Sequence, residues 1–331
     1  MTTTPSGRTV WINGKYVPEH EAGVSIFDSA LMFGDMVFEM ARSFNWKPFR
    51  LREHLDRLYR SAKLYRIPEP MPVDALEKLV LEVIETNRPF MDADDEDRPI
   101  INLSRGPLSI YWPIFDGPPG PTLIVGTFPL SLTMGALGYL YEKGVHAVVP
   151  RQQALPAELL DPKAKNRSRV HYMAANLQVG LVDDPNAWAL LLDPDGFVTE
   201  GTGANFFIVT NGELWTPEPR NILVGVSRNY VIELAEKLGI PVREKNFGVY
   251  EVIHADEAFY TSTPFSILPC TKIDGSEIGT GLCGAVTQRI IDAWSESVGV
   301  DIVAQAKRFA DRNEASALAG ASPYRMGKSA K

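Results

Sequence analysis

Cysteine is almost absent from this 331-residue chain: Cys270 and Cys283 are the only two, too few for a disulfide framework. Histidine is scarce as well, and His20, His54, His146, His171 and His254 fall without metal-ligand spacing. Positive charge is not in excess. The net charge is −8 with no basic stripe, which argues against nucleic acid as a partner. Long apolar runs are missing too: Ala187 to Leu192 is typical of the longest, far too short to span a bilayer. The opening residues, Met1 to Arg8, hold no apolar stretch of the kind a secretory leader needs. These absences describe a soluble, cytoplasmic protein. No Walker A sequence occurs, and Gly225-Val226-Ser227-Arg228-Asn229 breaks the G-x-S-x-G pattern at its last position.

The residues that are present have ordinary globular proportions, 45% hydrophobic and 22% charged. The length exceeds what one core usually holds, so two domains are expected. Val10 to Val17 reads as a hairpin about Asn13-Gly14. Asp35–Phe44 and Trp46–Leu51 read as strands joined near Asn45. Leu55, Leu58, Tyr59, Ala62 and Tyr65 recur at helical spacing from Arg52 to Tyr65, and a second helix covers Val73 to Asn87. The acidic run Asp92 to Asp97 is read as a solvated loop. Strands follow at Ile100–Ser104 and Thr122–Phe128. Beyond them strands are expected at His146–Val149, Ala187–Leu192, Asn205–Val209 and Glu257–Thr261, with helices at Val170–Val182, Ser227–Leu238 and Gly284–Glu296. The predicted boundaries are a smaller N-terminal domain at 1–128, a linker at 129–138, a larger domain at 139–310 and a flexible tail at 311–331. The class is α/β (α+β) in two parts.

Asp161 to Asn205 carries most of the chemical signal. A lysine stands before a predicted helix in Asp161-Pro162-Lys163-Ala164-Lys165-Asn166, and a lone acid, Glu200, precedes a Gly-rich turn. A lysine can form an imine with a carbonyl cofactor, and a carboxylate can partner a heterocyclic nitrogen, the pairing that pyridoxal phosphate (PLP) needs. Spacing alone leaves Lys163 and Lys165 both open for the first role. A phosphate cradle is available at Gly225-Val226-Ser227, where a glycine and a serine open an amphipathic helix. Arg57, in Leu55-Asp56-Arg57-Leu58, could add a charged contact. Gly279-Thr280-Gly281-Leu282-Cys283-Gly284 matches G-x-G-x-x-G. It is rejected as a dinucleotide site because Thr271 to Ser276 is polar and turn-like where an apolar strand should precede.

Taken together, these stretches resemble the class IV, or fold type IV, PLP-dependent aminotransferases, the family of branched-chain, D-amino acid and (R)-amine transaminases and aminodeoxychorismate lyase. The resemblance runs from about Trp11 to Ala304. It rests on Phe33-Gly34-Asp35-Met36-Val37-Phe38-Glu39, on Glu53 to Ala62, on Asp161-Pro162 to Lys165-Asn166, on Thr199-Glu200-Gly201, on Gly225-Val226-Ser227-Arg228 and on Thr261-Ser262-Thr263-Pro264. It implies that Lys165 is the imine lysine and Glu200 the pyridine partner. Arg57, Val226, Ser227 and Thr263 would hold the phosphate. It further implies PLP between a small and a larger domain, a homodimer, and a ping-pong transfer between an amino donor and a 2-keto acid.

The substrate pocket departs from the relatives. Arg105-Gly106-Pro107-Leu108-Ser109-Ile110-Tyr111-Trp112 lacks the Arg-x-His pair by which D-amino acid transaminases hold a carboxylate. Pro264 removes a backbone N–H that branched-chain enzymes use after the Thr263 position, and Phe265 adds bulk. Arg42 and Arg105 are candidate carboxylate partners, while Phe33, Phe38, Tyr111 and Trp112 are candidate linings of an apolar pocket. A branched-chain-like or other apolar substrate is expected. The alternatives are an (R)-amine or D-amino acid transaminase, or a lyase suggested by arginine four residues after the lysine, Arg169.

Overall fold

A computed structural model describes residues 7–314, which divide into two compact units. The first unit runs to Leu130 and takes in Ala164–Arg169; the second holds Ser131–Lys163 and the chain from Val170 onward. Five antiparallel strands build the first unit, in the spatial order Lys15–Pro18, Thr9–Ile12, Thr122–Pro129, Asp97–Ser104 and Met36–Met40. The expected hairpin is there, with Asn13 and Gly14 both at positive φ in its turn. The helices Leu51–Leu64 and Val73–Asn87 form where the apolar spacing placed them. Their buried stripes, Leu55, Leu58 and Ala62 from one and Leu76, Val80 and Val83 from the other, pack with Val37, Ile101, Leu103 and Val125 of the sheet. This is a two-layer α/β unit whose core is an apolar helix face on an apolar sheet face.

The second unit is built on a sheet that closes on itself. Val198–Gly201, Ala187–Leu192, Val145–Val148, Ser266–Ile273, Glu257–Ser262 and Asn205–Thr210 follow one another, and the first pairs back to the last through Glu200 and Asn205. Glu213–Thr216 and Val242–Glu244 extend the sheet beyond Asn205–Thr210. The helix Val170–Val179 lays Ala175 and Val179 against Ala189 and Leu191. Two further helices, Ala285–Val298 and Ile302–Glu314, complete the unit. Gly138 lets the chain pass the second of these closely, since a Cβ there would lie 2.2 Å from the Ala306 carbonyl oxygen.

Several expectations change. The linker at 129–138 is not irregular chain: Pro129 ends a strand and Ser131–Met134 forms a helical turn. Of the flexible tail predicted from 311, Asp311 to Glu314 end a helix; the rest of it, like the N-terminal residues 1–6, lies outside the described residues. Trp46–Leu51 is not a full strand. Ser43–Phe44 and Lys47–Pro48 make a short hairpin, and Leu51 already starts a helix.

The acidic run is solvated only in its first half, where Asp92, Ala93 and Asp94 are exposed. Asp95, Glu96 and Asp97 are buried. Asn45 and Trp46 turn the short hairpin at positive φ, and Glu96 accepts their backbone N–H groups at 2.7 and 3.0 Å, with Ser43 Oγ on the same carboxylate. Burial pushes the Asp97 carboxyl up to about 7, with the charges of Glu96 and Glu85 adding and the Thr127 hydroxyl and the charge of Arg88 opposing. Finally, a buried eight-residue strand, Ser266–Ile273, does precede the Gly-rich stretch. The dinucleotide reading still fails, because the N-terminus of the helix after it is taken by Glu257. That carboxylate accepts from Val286 N, Thr287 N and Thr287 Oγ1 at 2.7–2.8 Å.

Candidate active site

Lys165 belongs to the first unit by hydrogen bonding rather than by sequence. The open edge of the sheet is Met36–Met40. Phe38 N donates to the Lys165 carbonyl at 3.0 Å and Arg167 N to the Met36 carbonyl at 2.8 Å. The segment therefore joins as a short antiparallel strand, with Val37 opposite Asn166. Lys165 N donates to Ser61 Oγ at 3.1 Å, and Ser61 in turn bonds the Arg57 carbonyl. Asn166 Nδ2 reaches Tyr65 Oη at 3.0 Å. Gly34, at φ 67°, ends the short helix Ser29–Phe33 beside this segment; a Cβ there would meet Ser168 Oγ at 2.7 Å. So anchored, the Lys165 amine lies 4.9 Å from the centre of the Phe38 ring. Lys163 differs: its exposed amine pairs with Asp161 at 3.3 Å. The two lysines that spacing left open thus differ in their surroundings.

Arg57 sits on the neighbouring helix in a buried cluster that the sequence did not announce. Its Nε and Nη2 grip Glu39 at 2.6 and 2.9 Å, and His54 Nδ1 holds the same carboxylate at 2.8 Å. Burial would raise the Glu39 pKa, but the charges and hydrogen bonds of Arg57 and His54 outweigh it and hold the carboxyl well below its ordinary range. Burial pushes His54 the other way, down, against the pull of Glu39; the charges of Arg57 and Lys165 add to the fall.

In the second unit, Glu200 is buried on the strand that closes the sheet. Its carboxylate is oriented by neutral donors: Tyr172 Oη at 2.9 Å, Asn205 Nδ2 at 3.0 Å and Leu223 N at 3.0 Å. Asn205 also bonds the Leu223 carbonyl at 2.8 Å, which ties the acid to the loop leading into the helix Val226–Lys237. Ser227 stands in the first turn of that helix, where backbone N–H groups lack helical partners. Its hydroxyl is nearly buried and forms no hydrogen bond within the described residues. Thr263 opens the three-residue turn joining Glu257–Ser262 to Ser266–Ile273, again with no protein partner on its hydroxyl. Two hydroxyls without partners, one of them at a helix N-terminus, suit a phosphate.

Other candidates go elsewhere. Arg42 is buried between the strands Met36–Met40 and Ser43–Phe44, 3.9 Å from the centre of the Phe44 ring with Nε on the Ser43 carbonyl. Arg105 is committed to Asp35 at 2.8 Å and to the Tyr65 and Arg66 carbonyls; both arginines are thereby drawn off as carboxylate partners. Phe265 does not narrow a pocket, being buried against Trp188 with ring centres 5.7 Å apart; Pro264 beside it lies partly buried in the turn. Tyr111 stacks on Phe27, and Trp112 Nε1 bonds the Pro107 carbonyl. Phe33 is exposed, though its carbonyl accepts from Ser168. Of the aromatic candidates, Phe38 alone touches the Lys165 amine. Sequence reasoning missed Glu39, His54, Tyr172 and Asn205. An acid inside the apolar run Met36–Met40 was the available signal for Glu39; the other three had none.

Comparison with known proteins gives the family. The profile of the class IV amino-transferases matches residues 36–273, and the chain belongs to that family. It is 32% identical over 306 residues to the branched-chain-amino-acid aminotransferase of Escherichia coli K12, covering 88% of this chain and 93% of that one. It is 28% identical to D-alanine aminotransferase of Listeria monocytogenes, covering 87% and 96%. A solved branched-chain amino acid aminotransferase from T.th., complexed with N-(5'-phosphopyridoxyl)-L-glutamate, superposes with a TM-score of 0.76 at 30% identity, covering 89% and 95%.

Proposed function

We propose that this chain is a PLP-dependent aminotransferase that moves amino groups between apolar, branched-chain-like amino acids and 2-keto acids. The observation that carries the reading is the contrast between the two lysines: Lys165 is clamped to a sheet edge with its amine on Phe38, whereas Lys163 is spent on Asp161 in solvent. PLP, when bound, supplies the electron sink for the bond-breaking step at the substrate α-carbon. Lys165 would hold it through its amine, and the same amine would carry the proton leaving the substrate α-carbon. Glu200, fixed by Tyr172, Asn205 and Leu223, would partner the ring nitrogen and favour the charge drawn into it. Val226, Ser227 and Thr263 are assigned to the phosphate; Arg57, by resemblance a phosphate contact, has Nε and Nη2 on Glu39 within its own unit.

The protein acts as a homodimer in this reading. Support comes from apolar side chains left exposed on two joined segments of the first unit, Ile26, Leu31, Met32 and Phe33 on one and Ile110 and Ile114 on the other. Both cysteines are free, as suits a reducing cytoplasm, and among the described residues no helix is long and apolar enough to cross a membrane. The test is borohydride reduction of the PLP-loaded protein followed by peptide mapping. Label on Lys165, with turnover lost in Lys165→Ala and kept in Lys163→Ala, is the expected result. Label on Lys163, or a protein that never takes up PLP, would sink the reading.

A further inference from the structure

Two residues beyond Lys165 the chain places a second cation on the same aromatic ring. The Arg167 guanidinium carbon lies 3.6 Å from the centre of Phe38, closer than the Lys165 amine at 4.9 Å, and Arg169 lies at 5.0 Å. Arg167 is fixed on one edge only: Nε and Nη2 both donate to Asn102 Oδ1, at 3.1 and 2.8 Å. Asn102 pairs with Phe38 across the two strands, so ring, amide and guanidinium form one stack. Among the described residues no carboxylate pairs with Arg167, and its Nη1 has no protein acceptor. Solvent reaches one side of the group. The protein packed round the other side and the charge of Arg169 still lower its pKa, to about 10, so it keeps its charge at neutral pH.

Arginine lost to Asp35 or to Phe44, as Arg105 and Arg42 are, has no fork to offer. Arg167 does. Its Nη1–Nη2 edge is a planar pair of donors of the kind that binds carboxylate bidentately, and the stack on Phe38 fixes that plane beside the amine that does the chemistry. Resting on the aminotransferase reading above, we infer that Arg167 binds the carboxylate of the amino acid and 2-keto acid substrates and thereby selects carboxylates over simple amines. Asn102 and Phe38 are positioning residues for it. The arrangement fills a gap left by the sequence, which has neither the Arg-x-His pair nor the backbone donor that Pro264 removes.

The experiment is calorimetric titration of the PLP-loaded protein with 4-methylvalerate and with its neutral amide, in wild type and in Arg167→Met, which keeps a side chain over the ring. Leucine and isoamylamine are compared in parallel in the amine half-reaction. Arg167→Met should weaken 4-methylvalerate about 10- to 100-fold, the range for a lost hydrogen-bonded charge contact, and lower kcat/KM for leucine by a like factor. The amide and isoamylamine should move less than about 3-fold. Equal losses for acid and amide would mean a structural role and would overturn the inference; so would unchanged binding of 4-methylvalerate. Arg167→Lys should recover part of the acid affinity and none of the bidentate advantage. Borohydride labelling of Lys165 in the same samples reports separately on the aminotransferase reading, so the two can fail independently.

Discussion

Glu39 and Glu200 are both buried acids on strands, and the two units hold them by opposite means. In the first unit, Glu39 faces a guanidinium: Arg57 grips it with two hydrogen bonds and the His54 ring adds a third. In the second, Glu200 is held by a phenol, an amide and a backbone N–H. The difference teaches what each acid is for. A carboxylate already matched with a guanidinium is structural, and its removal leaves a buried charge behind. Glu200 has no guanidinium among these three donors, which fix the orientation of its carboxylate. Asp97 is a third case, buried with one hydroxyl and an acidic neighbour. Burial is nearly the same in all three, so the partners decide.

The largest break in this comparison should come from Glu39→Gln. It keeps the shape but strands the Arg57 charge, and should cost roughly 3–5 kcal/mol of stability in chemical denaturation near pH 7. The Glu39 pKa is depressed on folding, so wild type gains from this acid above the ordinary carboxylate range, near 4.5, and loses the gain as pH falls. The difference between wild type and variant should therefore shrink in acid; a difference independent of pH would show that the ion pair is not its source.

Asp97→Asn should act with the opposite sign. The folded pKa is raised from 3.8 to about 7, so the wild-type acid loses stability as pH climbs through that window. The variant should match wild type near pH 4 and exceed it by roughly 3 kcal/mol at pH 8, read from thermal melts across pH. A melt difference flat in pH would mean that Asp97 titrates normally. The smallest effect should come from Tyr172→Phe, which removes one donor from Glu200 and leaves two. A loss of about 1–2 kcal/mol is expected, together with a shift in the absorbance of bound PLP; a spectrum identical to wild type would remove Tyr172 from the cofactor's surroundings.

Much of the fold was legible because periodicity is strong where one face is buried. Leu55, Leu58 and Ala62 gave their helix within a residue or two, and Asn13-Gly14 gave its hairpin. Ser266–Ile273 was missed for the opposite reason. All but one of its residues are buried, so no alternation marks it, and Pro269 and Lys272 disguise it further. The acidic run misled because charge density usually means solvent. Here three acids turn inward, and one of them, Glu96, satisfies a hairpin whose Asn45 and Trp46 stand at positive φ, a long-range demand invisible to local pattern. At the site, the residue types of Lys165 and Glu200 were readable, while their supports were not. Tyr172 and Asn205 become partners of Glu200 only once the sheet has closed.

The pairing of Asn166 with Val37 reaches beyond catalysis. Met36–Met40 is an edge strand, and its outward N–H and C=O groups would otherwise be a template for another chain. The lysine segment occupies them, through Phe38 N and the Met36 carbonyl. The stretch that carries Lys165 is thus also a guard against self-association, and substitutions that lift it off the edge should appear first as turbidity on storage.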